Sequence, residues 1–320
     1  MNNLSVRESI VEKVGVNITG AETSAEAMQK AELDYTVALQ PYYLPGRSIF
    51  GKTVGAVSKL KQAVVRTDTG AELGGVGMKY KPIQPVKCFE LLDKAIGPEN
   101  IAYHRAGEGN NGIWVDLKFS ENFFVGPKKN NDEIERHILL MNFWDGSSSL
   151  KVYDIANRLF CMNQLTPQNQ IMKVRHTQNA DIRITEGIKL IKKSIGYYEW
   201  FERKCNELFN APMSDDNMVD FVEEELLPSA YDEEKDELVV STRLKNARNE
   251  IYRLFHEGMG QENCQNTRWA AYNAVSEYTD HIRSTSVRKG RDEGVVRFES
   301  TLVGSGASLK SKAFKLLEVN

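Results

Sequence analysis

Three polar side chains, Asn273, Glu277 and His281, stand four residues apart in the stretch NTRWAAYNAVSEYTDH at 266–281. In a helix that spacing sets them in one line, beside a row formed by Trp269, Tyr272, Val275, Thr279 and Ile282. Such a line could hold a ligand or a neighbouring subunit. Its commoner use is a hydrogen-bonded network inside a core, because buried polar groups are paired. A second set is basic and aromatic. Lys79, Tyr80 and Lys81 interleave charge with a ring, the combination that contacts a nucleic-acid backbone and stacks on bases. Arg175, Arg283, Arg288 and Lys289 add cations, and Lys310 follows Gly304-Ser305-Gly306. Glycines before a helix start let backbone N–H groups approach an anion. A P-loop, however, has its lysine directly after the second glycine, and here Ser308-Leu309 precede Lys310. A capped helix docked on a core is the plainer reading of that stretch.

The elements that would position these residues change character along the chain. Residues 1–45 mix short helical signals, as at 24–33, with a loop at 41–46, and are expected to form an arm that packs on the body or on a neighbour. Ala63, Val64, Val65 and Arg66 lead into Thr67-Asp68-Thr69-Gly70 and then into 73–80, a hairpin about a glycine-containing turn. Residues 101–105 with 113–119, and 138–144 with 150–155, repeat the arrangement. Among these hairpins Pro85 suits a first helical position, with Val86, Phe89, Leu92 and Ile96 as the buried stripe and Gly97-Pro98 as the stop. After Cys161 the pattern turns helical. Ile184, Ile188, Ile191, Ile195, Tyr198, Phe201, Cys205 and Leu208 recur every three or four residues, which predicts one long helix over 180–209. A short helix over 218–227 stops at Pro228. Ser241 or Thr242 caps another, with Leu244, Ala247, Ile251 and Leu254 inward and Arg243, Lys245, Arg248 and Arg253 outward. The expected fold class is α+β: an antiparallel, hairpin-rich sheet with an embedded helix, followed by a mainly helical half. The expected divisions are an arm at 1–45, a sheet domain at 46–165, and a helical region at 166–320 with an acidic insert at 211–240.

At 320 residues, 41% hydrophobic and 27% charged, the chain can bury a large core as one or two domains. No apolar run nears the about 20 residues needed to span a bilayer, and the first residues carry no signal-peptide core. A cytoplasmic protein with no membrane partner is expected. Cys88, Cys161, Cys205 and Cys264 form no CxxC pair and the five histidines are scattered, so no metal site or disulfide framework is expected. Charge is uneven. Residues 211–240 hold eleven acidic residues against Lys235, a local net of −10, which leaves +7 for the remainder of a chain whose overall charge is −3. That asymmetry permits a basic face, although a solvated acidic loop on a neutral protein is as common.

Four stretches also carry a resemblance. LGGVGMKYKPIQPVKCFELLD at 73–93, WDGSSSLKVYDIANRLFCMNQL at 144–165 with RHTQNADIRI at 175–184, the stretch at 266–281, and GSGASLKSKAFKLL at 304–317 are similar in order and spacing to the phage/plasmid-like protein family. This is a domain of unknown function found on phages, plasmids and transferred islands, and the resemblance spans roughly residues 40–317. The family brings no established catalytic residues to carry over. Where its members commonly have His-Asp-Gly-Ser, this chain has Trp144-Asp145-Gly146-Ser147, so that first position is no essential histidine here. In element order only, the first half is also similar to the oligomeric single-strand annealing proteins of recombination, and a shared fold does not establish a shared function.

Motifs such as GxSxG, HExxH and Walker A are missing, so no catalytic residue or cofactor is expected and an enzyme is unmotivated. Mobile-element context and the basic segments favour a non-catalytic nucleic-acid-binding protein of phage or plasmid DNA metabolism, engaged in single-strand binding or annealing. It would be a homo-oligomer that uses Lys79, Tyr80, Lys81, Arg175, Arg283, Arg288, Lys289 and Lys310. The alternative is an interaction or anti-defence protein that binds a host protein, in which the acidic segment meets a basic host surface or covers the chain's own basic groove.

Overall fold

The computed structural model describes residues 9–49, 52–94, 101–128, 132–159, 161–193, 195–232, 236–287, 289 and 291–318. At the N-terminus, α1 (Ile10–Val14) carries a capping box in which Ser9 and Glu12 satisfy each other's backbone N–H. β1 (Val16–Asn17) follows, then α2 (Ser24–Lys30), capped by Thr23. The expected arm packs on the body: Ile10 and Val11 enter one apolar cluster, Ala27 and Met28 another. β2 (Val37–Ile49), β3 (Lys52–Arg66) and β4 (Glu72–Gly77) form a three-stranded antiparallel sheet in that order. The loop expected at 41–46 is part of β2. Pro41 pairs with Gln62 just before a register shift, on an edge strand, where a residue without an N–H removes no ladder bond. Next, α3 (Pro85–Asp93) starts at Pro85 as its type suggests; the expected end of this helix, at 95–98, lies outside the described residues.

The larger sheet is built from β1, β5 (Ile101–Glu108), β6 (Gly112–Phe119), β7 (Phe123–Phe124), β8 (Glu133–Phe143), β9 (Leu150–Arg158) and β10 (Asn163–Val174). Its order is β1-β5-β6-β8-β9-β10, with β7 on β8, and its pairs are antiparallel. The expected turn to helix after Cys161 is corrected by β10. Asn163, Gln164 and Gln170 are polar, and register shifts fall between Leu165 and Asn169 and between Gln170 and Met172. Each shift resets which face a side chain takes, so the strand has no period-two signature in the sequence.

Both faces of this sheet are covered. Along β6, Ile113, Val115, Leu117 and Phe119 enter the main core and Trp114 the opposite face, as strand periodicity dictates. α4 (Ala180–Lys193) and α5 (Ile195–Asn210) take the place of the one long helix expected, with residue 194 outside the described residues; their Ile184, Ile191, Tyr198, Phe201 and Leu208 join the main core. α6 (Asp215–Asp220) runs into a π-helical turn, Phe221–Leu226, and β11 (Ala230–Asp232) pairs with β12 (Glu237–Val239). α7 (Thr242–Glu257) is capped by Ser241 and α8 (Arg268–Glu277) by Thr267. A π-helical turn, Tyr278–Ile282, precedes α9 (Glu293–Val303) and α10 (Ser305–Leu317). On the far face of the sheet, Phe298 and Leu302 of α9 pack with Ile10 and Val11 of α1 over Trp114, Leu139, Met141 and Tyr153.

One outward expectation, that for Arg248, is reversed in the helical half, and the acidic segment is anchored by apolar residues. Met218, Phe221, Val222 and Leu226 make the acidic segment part of the core. Arg248 is buried, its guanidinium on Leu227 O at 2.7 Å, Ser229 Oγ at 3.0 Å and Glu223 Oε2 at 3.1 Å. A buried ion pair ties sheet to helices: Arg158 of β9 binds Asp132 through Nε at 2.5 Å and Nη2 at 2.9 Å, and Trp269 of α8 donates Nε1 to the same carboxylate at 2.9 Å. Removing one partner of such a pair would leave an uncompensated buried charge. Among the described residues no helix is long and apolar enough to cross a membrane.

Candidate functional site

Where β4 ends, residues 77–80 turn back, with Tyr80 N donating to Gly77 O at 3.0 Å. The segment after the turn is pinned from two sides. Ile83 O accepts from Trp144 Nε1 at 2.8 Å and Asn142 Nδ2 at 3.1 Å, while Ile83 N donates to His176 Nδ1 at 3.1 Å and Lys81 N to His176 O at 3.1 Å. Tyr80 thereby lies flat on His176, ring centroids 4.8 Å apart and planes 16° apart. Opposite them runs the β8–β9 loop, turned by Asp145, whose Oδ1 accepts from Ser147 N at 2.9 Å and Oγ at 2.6 Å; an Asx turn of this kind leads through Gly146 at φ +77°. Close approach of β4 to this loop needs Gly74, since a Cβ there would lie 2.4 Å from Asp145 Cα.

These pieces enclose a pocket of about 480 Å³, lined by Gly77, Lys79, Tyr80, Gly146, Ser147, Ser148, Ser149, Lys173, Arg175, His176 and Thr177. Lys79, Lys173 and Arg175 are exposed cations on its walls. Lys151 pairs with Lys173 across β9 and β10, and burial, then the Lys173 charge, lowers its pKa. Crowded like charges of this sort are relieved by an anion. Burial pushes the His176 pKa down to about 4, and burial followed by the Asp145 charge raises that of Tyr80. Both rings are neutral at pH 7 and form a flat wall. The opposing charge is Asp145, held by Ser147. Chemically, the arrangement offers cations and hydroxyls to an oxyanion beside an aromatic surface.

Of the residues expected to act together, Lys79, Tyr80 and Arg175 meet here. Lys81 lies round the corner in a smaller hollow of about 290 Å³, with Lys87, Thr177 and Asp181. Arg283 and Lys289 are not among the lining residues; the Arg283 carbonyl accepts from Arg297 Nη1 at 3.0 Å. Arg288 lies outside the described residues. Lys310 is a correction: it is fully buried, Nζ 2.7 Å from Asp280 Oδ1 and 2.7 Å from Gln164 O, and has no surface to offer a ligand. Its place on the stripe of Ala307, Ala313, Phe314 and Leu317 was the available signal. Asn273 and Glu277 are buried and each is bonded to backbone: Asn273 Nδ2 donates to Trp269 O at 2.8 Å, and Glu277 Oε2 accepts from Met259 N at 3.0 Å. Sequence reasoning missed Lys173 and His176, because the strand that carries Lys173 has no alternation, and missed the serines of the DGSSS turn.

No curated protein and no solved structure matches the chain. The sequence model of the family described as Domain of unknown function (DUF932) matches residues 72–302, a span that holds three of the four motif stretches and every lining residue of the pocket, and the chain belongs to that family.

Proposed function

We propose that this chain is a non-catalytic nucleic-acid-binding protein of phage or plasmid DNA metabolism, acting in the host-cell cytoplasm as a homo-oligomer, and that it holds single strands at the Tyr80 pocket without strong sequence preference. The supporting observation is convergence. Residues of GMKY, DGSSS and RHT, from separate motif stretches, line one pocket, with Lys79, Lys173 and Arg175 on its walls. Cations there would neutralise phosphates and release counterions, and the serine hydroxyls could donate to phosphate oxygens. The neutral Tyr80 ring, backed by His176, would present a flat surface to a base, a contact worth about 1 to 3 kcal/mol. Contacts to phosphate and to ring faces carry no sequence code.

An electrophoretic shift assay at low salt tests this reading, with labelled single strands of two unrelated sequences. The intact protein is expected to shift both alike, and a variant with Lys79, Lys173 and Arg175 replaced by Ala to shift neither. If the intact protein shifts no single strand, the nucleic-acid reading falls. The second reading, an interaction or anti-defence protein, is favoured by the β2–β3 hairpin. There Leu60 is 82% and Tyr43 75% exposed, with Leu44 and Val57 exposed nearby, and an apolar patch of this kind is a typical protein contact. Self-assembly would cover the same patch.

A further inference from the structure

The sheet face under α1 and α9 ends in a group of ionisable side chains. On β5, Tyr103 pairs with Leu117 and Arg105 with Asp116, so His104 is the extra residue of a bulge, a feature that re-aims a side chain. Its Nδ1 lies 2.7 Å from Asp116 Oδ2. From β8, one strand further on, His137 brings its own Nδ1 to 3.0 Å from the same oxygen and 3.2 Å from Oδ1. Donor atoms of three side chains, on three neighbouring strands, thus lie within 4.8 Å of one another. Asp116 and His137 are fully buried, whereas the His104 side chain keeps 20% exposure and reaches solvent.

The opposite edge of His137 is supported as well. Its Nε2 lies 3.4 Å from Glu135 Oε2, and Lys118 pairs with the other oxygen of Glu135. Asn157 Nδ2 is 3.2 Å from the same Nε2, and Asn157 Oδ1, also buried, has no hydrogen-bond partner among the described residues. Exchanging the amide N and O, a choice that hydrogen-bond logic must make, lets Oδ1 accept from Nε2–H. With Glu135 and Asn157 holding that proton, Nδ1 presents a lone pair to Asp116 and His104, and a cation is what such a convergence of lone pairs accommodates. Glu135 and Asp116 bring two negative charges and Lys118 one positive charge, so the group has negative charge to spare.

We propose that His104, Asp116 and His137 bind a divalent metal ion of the zinc class through the two Nδ1 atoms and a carboxylate oxygen, with a fourth position open to water beside the exposed edge of His104. Two imidazoles and one carboxylate with an open position are a zinc donor set, and ligands at about 2.0 to 2.1 Å in a tetrahedron stand about 3.3 Å apart. The 2.7 and 3.0 Å separations found here would widen by about 0.6 and 0.3 Å to reach that spacing, within a set of ligand atoms that spans no more than 4.8 Å. A carboxylate on the far nitrogen of a ligand histidine is the usual support. The competing arrangement is a doubly protonated His137: burial opposes it, but Asp116 and then Glu135 outweigh burial and push the pKa up to about 9. In that arrangement His104 and His137 each donate Nδ1–H to Asp116, whereas in the proposed one a metal ion takes the place of those two protons.

The test uses the full chain, prepared without a polyhistidine tag, stripped with chelator and titrated with zinc chloride by calorimetry and with cobalt chloride by optical absorption. Stoichiometric zinc binding is expected, together with the strong visible bands of four-coordinate cobalt. His104→Ala, at the partly exposed position, should keep its circular dichroism while losing the cobalt bands and the zinc-induced rise in melting temperature. Glu135→Gln should weaken zinc by about 10- to 100-fold. A stripped chain that takes up neither ion, or binding that His104→Ala leaves unchanged, overturns the proposal and leaves the protonated His137 in place.

Discussion

Burial holds His176 neutral. Its Nδ1 is occupied by Ile83 N at 3.1 Å and desolvation lowers its pKa from 6.5 to about 4, so at neutral pH the positive charge of the pocket comes from Lys79, Lys173 and Arg175. The unfolded chain takes up this proton near 6.5 and the folded chain near 4. The stability contributed by neutral His176 is therefore complete above about pH 6.5 and is lost as pH falls towards 4. Denaturant titrations at successive pH values should show His176→Phe losing less stability over that window than the parent, by up to about 3 kcal/mol; parallel curves would contradict this. Lys310 makes the opposite use of burial. Desolvation raises the pKa of Asp280 and lowers that of Lys310, and the charge of each partner opposes the shift in the other. Lys310→Ala should cost about 3 to 5 kcal/mol in urea unfolding, and Lys310→Met combined with Asp280→Asn clearly less; equal costs would mean that the pair is not the cause. Lys79, Tyr80 and Arg175 were legible because they flank turn and motif signals on the surface. Lys310 was misread because its charge was weighed above its place on the apolar stripe of α10, which turns inward.

Hairpins announced themselves where turn residues separate apolar runs. Thr67-Asp68-Thr69-Gly70 and the glycine-rich turn at 107–112 separate the strand pairs β3–β4 and β5–β6, and α3 was legible from its Pro and its stripe. β10 was hidden because two register shifts scramble its alternation, and with it went Lys173. β2 was not foreseen, because a Pro reads as a loop until its strand is known to be an edge. The meeting of β4 with the β8–β9 loop is also invisible in sequence, although it decides the shape of the pocket. Gly74→Ala places a methyl group 2.4 Å from Asp145 Cα, which should force the two apart at a cost of about 1 to 3 kcal/mol. Thermal melting combined with single-strand binding checks this: affinity should fall beyond what the lost folded fraction explains, and unchanged affinity of a destabilised variant would separate the loop from the site.

Across the whole molecule, apolar surface is buried on both faces of one sheet, and the acidic segment belongs to that construction. Its Phe221, Val222 and Leu226 are core residues, and the described residues of 211–240 supply no lining residue of the Tyr80 pocket. The idea that it covers a basic groove at this pocket therefore gains no support. The exposed pair Tyr43 and Val57, opposite each other on β2 and β3, is where the proposed self-assembly would act. Light scattering over a concentration series should give a mass above that of one chain, lowered by Leu60→Ser with Tyr43→Ser, and a monomer at every concentration would remove the oligomer. The central claim is that the Tyr80 pocket binds the backbone of single strands, and its most direct measurement is the dependence of affinity on salt. For Lys173→Ala with Arg175→Ala, loss of two phosphate contacts should make the slope of log affinity against log salt shallower by about 1.4, since each contact on a single strand contributes about 0.7, and by the same amount on two unrelated sequences. Slopes identical to those of the parent, or a loss confined to one of the sequences, would contradict the claim.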